Sequence, residues 1–206
     1  MRLNGDNIIA EDGMTFNQLA KSFENEFNRF EVDCKSDGEF GVQLKGMQTF
    51  KLTKEDALYI LGYTAYSAKW INPYIQNERS MAKNSDAELF IMHLDHALKK
   101  VKSTQELILF RMDHAERQDA FIEYRSKKNS IICIDYYLST DKEEYPECEI
   151  IWRIKPLPNG KSKGKDITTI TNNGAEKEVL FERESKFRID EVINSSKLYI
   201  DMTEIE

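Results

Sequence analysis

Three places in this chain combine residue types that could act on a charged ligand. Arg111 follows the apolar run Leu107-Ile108-Leu109-Phe110, where its planar fork is either a surface cation or a bidentate clamp for an anion. Ser139-Thr140 ends a strand-like stretch, Ile131 to Leu138, the ordinary place of a turn or a cap. Glu176-Lys177-Glu178 opens another. Residues two apart on a strand point to one face, so Glu176 and Glu178 would be neighbouring carboxylates at a loop–strand junction. Singly, each has a plain reading: a surface cation, a turn, an exposed charged face.

Other chemistries find less support. His93 and His96 have a spacing that can hold a metal, with Asp95 between them, but no third ligand falls at a matching spacing. His93 also lies on an apolar helical face, so both are expected to be structural and no metal is expected. His114, beside Asp113 and Glu116, is a secondary acid–base candidate. Cys34, Cys133 and Cys148 form no Cys-x-x-Cys pair and read as reduced thiols, and nothing marks one as a nucleophile. There is no Gly-x-Gly-x-x-Gly, no Gly-Lys-Ser/Thr phosphate loop and no Gly-x-Ser-x-Gly elbow.

The formal net charge of -7 disfavours general binding to a phosphate backbone. Lys155, Lys161, Lys163 and Lys165 form a local basic cluster that could offset it. No apolar run approaches the ~18 residues of a membrane span. Met1 to Gly13 is polar and lacks the apolar stretch of a signal peptide.

The elements that must position these residues follow from periodicity. Phe16, Leu19, Phe23, Phe27 and Phe30 recur at helical steps. Residues 31–52, with Gly38, Gly41 and Gly46, read as turns and short strands. Thr53 is a helix N-cap with Glu55 and Asp56 in the first turn, and Ala57, Leu58, Leu61 and Ala65 supply an apolar face. Pro73 predicts a break at Asn72. Ser85 and Asp86 cap another helix whose buried face would be Leu89, Phe90, His93, Leu94, Ala97 and Leu98. Strands are expected at Leu107 to Phe110, Ile131 to Leu138, Cys148 to Ile154, Glu178 to Phe181, Lys186 to Val192 and Leu198 to Met202. Pro156 to Gly174 reads as one long connection, the kind of loop that often carries function. Helices first and strands later predict an α+β fold with a mixed or antiparallel sheet.

The order and flanks of the three sites resemble the arginine, Ser-Thr-Ser and Glu-x-Glu motifs of the mono-ADP-ribosyltransferase family, in the branch with clostridial-type binary toxins and vertebrate ecto-enzymes. Glu176-Lys177-Glu178-Val179-Leu180-Phe181, followed by Ser185-Lys186-Phe187-Arg188-Ile189, is similar to the Glu-x-Glu strand and its successor. Gly164-Lys165-Asp166-Ile167 resembles the approach to the substrate-recognition loop. Leu52 to Asp56, Tyr63-Thr64, Tyr66 and Ile71-Asn72 resemble the helical region before the catalytic sheet. The likeness spans about residues 50 to 195. Met112 departs from the family's glycine after the arginine, and Asp141 from the third residue of Ser-Thr-Ser.

This resemblance implies a division into residues 1–50, an N-terminal helical extension or cap, and 51–206, a catalytic domain, or one continuous domain. It implies NAD as co-substrate, broken at the nicotinamide–ribose bond. Arg111 would clamp the anionic part of NAD, Ser139 would orient the catalytic glutamate, and Thr140 would support the strand end. Glu178 would bind the ribose hydroxyl and favour the cation. Glu176 would meet the acceptor, and a glutamate there resembles the arginine-modifying subgroup. Asn172 and Asn173 would help to recognise the target. The implied partner is a protein carrying an acceptor arginine, with an inhibitor or antitoxin as a further partner and no membrane. The alternatives are transfer to RNA or DNA, NAD hydrolysis, or a non-enzymatic NAD-binding module with decayed motifs. The setting expected is the cytoplasm, where the protein is made or into which it is delivered.

Overall fold

The computed structural model describes residues 2–4, 7–9, 47–64, 68–76, 85–113, 127–170 and 177–206. The chain divides into two compact units, one made of Met1–Val101 with Ile167–Ala175 and the other of Lys102–Asp166 with Glu176–Glu206.

The described residues of the first unit include a short antiparallel pair, β1 (Arg2–Asn4) and β2 (Asn7–Ile9), and the helices α1 (Lys54–Gly62), α2 (Ala68–Gln76) and α3 (Ser85–Lys100). Residues 47–50 are helical, in a stretch expected to be turns and short strands. The predicted helix from Phe16 to Phe30 lies outside the described residues.

Thr53 caps α1 as expected. Its hydroxyl accepts from the Asp56 backbone N–H, and the Asp56 carboxylate accepts from the Thr53 N–H at 2.7 Å, a reciprocal box. Lys100, in the last turn of α3, also donates to Asp56, at 2.6 Å. Burial alone would raise the Asp56 carboxyl. The hydrogen bonds from Lys100 and Thr53 outweigh it and hold the group below its ordinary value.

Helix α2 runs through Pro73, where a break was predicted. Proline in a helix interior removes one hydrogen bond and costs ~3 kcal/mol. Ile71, Tyr74 and Ile75 are buried in the same helix, and Asn72 and Tyr74 donate to the Tyr63 hydroxyl and to Glu88. That burial and bonding exceed the loss. On α3 the buried face is Ala87, Phe90, Ile91, Leu94, Ala97 and Leu98, while Leu89 is exposed, contrary to expectation. The stripe is rotated toward Ala87 and Ile91. His93 is half-buried and stacked on Tyr59, with ring centroids 4.6 Å apart.

The second unit is built on one eight-stranded sheet. Its strands are β3 (Leu109–Asp113), β4 (Ile131–Ile134), β5 (Leu138–Asp141), β6 (Ile150–Lys155), β7 (Gly164–Asp166), β8 (Glu178–Phe181), β9 (Ser185–Asn194) and β10 (Leu198–Ile205), in the order β4-β9-β10-β6-β3-β5-β8-β7. Among the described strands only β10–β6 is a parallel pair, so the sheet is mixed and the fold α+β, as predicted. Its apolar cluster gathers alternate residues of neighbouring strands: Ile150, Trp152 and Ile154 of β6, Val179 and Phe181 of β8, Phe187 and Ile189 of β9, and Ile200 and Met202 of β10.

Several expectations change in this unit. The predicted strand from Leu107 begins at Leu109, with Leu107 90% exposed. Ile131 to Leu138 is two strands, since the chain bends at Asp135–Tyr137 and leaves the β4 edge to enter β5 between β3 and β8. Apolar alternation reports a pleat and is blind to which partner each half pairs with. The predicted strand from Cys148 starts at Ile150. The long connection from Pro156 contains β7, where Gly164 packs closely on Phe181. A Cβ there would lie 3.1 Å from that ring.

Candidate active site

Strands β3, β5 and β8 are adjacent, and their register decides what meets. Asp141 pairs with Glu178, Ser139 with Leu180, and Phe110 with Asp141. Alternation therefore puts Ser139, Asp141 and Glu178 on one face. The Ser139 hydroxyl donates to Glu178 Oε1 at 2.6 Å. Arg111 Nη1 donates to the Ser139 carbonyl at 3.1 Å, and its Nη2 to Asp113 Oδ1 at 3.3 Å. The Thr140 hydroxyl donates to the Val179 carbonyl at 2.6 Å, tying β5 to β8 beside the pair.

A cavity of about 240 Å³ lies here, bounded by Phe110, Arg111, Met112, Ser139, Thr140, Asp141, Tyr145 and Glu178. Glu178 is 6% exposed and Asp141 7%, and Arg111 also lines the cavity, although the register gives Phe110 and not Arg111 the face shared by Asp141 and Glu178. Asp141 is satisfied from its own loop, accepting the Glu143 N–H at 2.8 Å and the Tyr145 hydroxyl at 3.0 Å. A cavity that pairs a fixed cation with a serine-held carboxylate can bind an anion at one side and stabilise positive charge at the other.

The structure thus brings together Arg111, Ser139, Thr140 and Glu178. Arg111 sits in the middle of β3 rather than at a strand end, and Ser139-Thr140 within β5. Glu176, Asn172, Asn173, His114 and Cys34 lie outside the described residues. Among the described residues no group of three or more His, Cys, Asp or Glu could hold a metal, and no helix is long and apolar enough to cross a membrane. Cys133 and Cys148 are free thiols. Burial, with Glu149 and Glu147 nearby, pushes the Cys148 thiol up, the opposite of what a nucleophile needs.

The basic cluster is spent largely on the protein itself. Lys161 pairs with Glu206, Lys163 donates to the carbonyls of Arg183 and Glu184, and Lys165 reaches Ser103 and Glu182, while Lys155 is exposed. Sequence reading gave Asp113 and Asp141 no role at the site and did not single out Tyr145. Asp113 was legible, since the two-residue spacing that paired Glu176 with Glu178 also pairs Arg111 with Asp113.

The family model described as ADP-ribosyltransferase exoenzyme matches residues 38–205. The chain belongs to the ADP-ribosyltransferase exoenzyme family. Solved relatives share its fold. Plx2a, an ADP-ribosyltransferase toxin from Paenibacillus larvae, superposes with a TM-score of 0.64 at 20% identity, over 80% of this chain and 93% of that one. The C3 exoenzyme of Clostridium limosum gives 0.64 at 18% identity, over 80% and 91%. C3stau2 from S. aureus, solved with NAD, gives 0.63 at 16% identity, over 80% and 92%. No curated protein matches the chain in sequence. Family membership makes this ADP-ribosyltransferase a transferase of the mono-ADP-ribosylating, toxin-like class.

Proposed function

We propose that this enzyme transfers ADP-ribose from NAD to an arginine of a target protein and releases nicotinamide. The observation that carries the reading is the 2.6 Å hydrogen bond from Ser139 to a nearly buried Glu178, in a cavity whose lining also includes Arg111. NAD supplies an anionic pyrophosphate and a ribose whose bond to nicotinamide breaks through an oxocarbenium-like cation. The donor set fits both demands. Arg111 binds the anionic part of NAD with a planar fork. Glu178, oriented by Ser139, accepts from the ribose hydroxyl and offers its charge to the cation, and Thr140 holds the strand end that carries Ser139.

Glu176 stands two residues before Glu178, the spacing that would direct a second carboxylate toward the same side. A guanidinium acceptor needs a carboxylate to orient it and take its proton, and we assign that role to Glu176, with Asn172 and Asn173 on the target side. We assign residues 1–50 to an N-terminal cap and 51–206 to the catalytic domain. The self-satisfied lysine cluster favours a protein over a nucleic acid as acceptor. The site of action we propose is a cytoplasm, that of the producing cell or of a target cell.

The test is nicotinamide release from NAD, with and without agmatine as an arginine donor, beside Glu178→Ala. Release that requires Glu178 and rises with agmatine is the expected result. Release indifferent to agmatine would replace the arginine acceptor by water or another group, and no release by the wild-type protein would overturn the activity.

A further inference from the structure

Asp113 has no place in the reading above, yet its carboxylate accepts from Arg111. Its carboxylate is 16% exposed and spans two donors. Oδ1 accepts from Arg111 Nη2 at 3.3 Å, and Oδ2 accepts from the Trp152 indole N–H at 3.1 Å. Trp152 lies directly opposite Arg111 across the β3–β6 pair and is a member of the sheet's buried apolar cluster. An indole nitrogen can only donate, and a buried one needs an acceptor. The packed core thus sets the indole, the indole sets one carboxylate oxygen, and the other oxygen sets the guanidinium.

A guanidinium on a flexible stem reaches an anion bidentately only if its plane is held, and both side chains of the pair Arg111–Asp113 come from one face of one strand. The Ser139 carbonyl holds Nη1 from the other side, so the fork is braced at both Nη groups by fixed acceptors. We propose that Asp113, held by Trp152, is a positioning residue that orients Arg111 for the anionic part of the substrate. This rests on the reading of Arg111 as the clamp for NAD.

The experiment measures binding of ADP, which carries the adenosine and pyrophosphate without the nicotinamide riboside, and steady-state nicotinamide release from NAD. The variants are Asp113→Ala, Asp113→Asn, Trp152→Phe, Arg111→Ala and the double variant of Arg111→Ala with Asp113→Ala. A braced clamp acts on ground and transition states alike, so Asp113→Ala raises the Kd for ADP and the KM for NAD about tenfold while kcat changes little. Asp113→Asn, which keeps a carbonyl oxygen for Arg111, recovers part of the loss. Trp152→Phe keeps the ring in the core but drops the N–H, and weakens ADP binding in the same direction with the fold retained. In the Arg111→Ala background, Asp113→Ala adds nothing further.

An unchanged Kd in Asp113→Ala overturns the proposal. So does tighter binding, which would make the carboxylate a competitor of the anion, and so does a full additional loss in the Arg111→Ala background. Wild-type protein that binds ADP but releases no nicotinamide would sink the proposed activity and leave this positioning role standing. Wild-type protein that binds neither would sink both.

Discussion

Ser139 and Glu178 are joined by a 2.6 Å hydrogen bond although they are not paired residues. The register sets Ser139 opposite Leu180, and the bond is made diagonally to the residue two positions back on β8. A diagonal contact of this kind requires both side chains to lean along their strands toward each other, which fixes the carboxylate's direction within the cavity. Ser139→Ala removes the donor and leaves the strands paired. A hydrogen bond to a charged group is worth roughly 1.5–3 kcal/mol, so kcat for nicotinamide release is expected to fall about 10- to 100-fold with thermal stability nearly unchanged. Steady-state rates beside a melting curve check this, and a change in KM alone would mean that Ser139 serves binding and not the orientation of Glu178.

Glu178→Gln keeps the shape and the acceptor oxygen for Ser139 but removes the charge that favours the cation. Loss of one placed electrostatic group costs about 10²–10³ in rate. Both transfer and NAD hydrolysis are expected to fall together, because both pass through the same cation. Near-native activity in this variant would remove Glu178 from the chemistry.

Glu176→Gln separates the two outcomes. If Glu176 serves the acceptor, the variant loses transfer to agmatine and keeps a measurable part of NAD hydrolysis. Parallel assays of nicotinamide and ADP-ribosyl-agmatine distinguish these, and equal loss of both would assign Glu176 to NAD.

How far the sequence foretold the fold depends on what each signal measures. The Thr53 cap and the β8 boundaries, Glu178 to Phe181, were legible because hydroxyl capping and apolar runs are local. The division of Ile131 to Leu138 between β4 and β5 was not, because it is decided by which strands pair, and Asp135–Tyr137 carry no glycine or proline to announce the bend. The three residues of β7 are too few to show a period. They follow an Asn159-Gly160 turn with positive φ at both residues, a signal hidden inside what reads as one long loop. At the site, Arg111, Ser139 and Glu178 could be named from motif order. The pairing of Asp141 with Tyr145 could not, because the bond between them depends on how the loop after β5 turns back on itself.

Asp56 predicts a pH dependence of stability. Its carboxyl is held below the ordinary value in the folded protein, so it contributes stability that is fully present above about pH 4, the unfolded value, and is lost as pH falls through the lower folded value. Asp56→Asn is expected to destabilise the protein by roughly 1–3 kcal/mol at neutral pH, through loss of the capping box and the Lys100 bond. The difference between wild type and variant should shrink as the pH is lowered below about 4. Urea unfolding at pH 7 and at about pH 3 measures it, and a constant difference across that range would mean that Asp56 contributes by packing and not by charge.

Glu204 makes the last test. It is 1% exposed on β10, and its two oxygens accept from the backbone N–H groups of Leu157 at 2.8 Å and Lys163 at 2.7 Å. One buried carboxylate thus closes the segment between β6 and β7, and β7 pairs with the strand that carries Glu178. Glutamine at this position turns one of the two acceptors into a donor facing an N–H. Leaving that buried group unsatisfied costs roughly 1–3 kcal/mol. Glu204→Gln is expected to speed amide exchange at Leu157 or Lys163 by about 10- to 100-fold, with a smaller change at the core of β10. Uniform acceleration across the sheet would show that Glu204 supports global folding instead of pinning this segment.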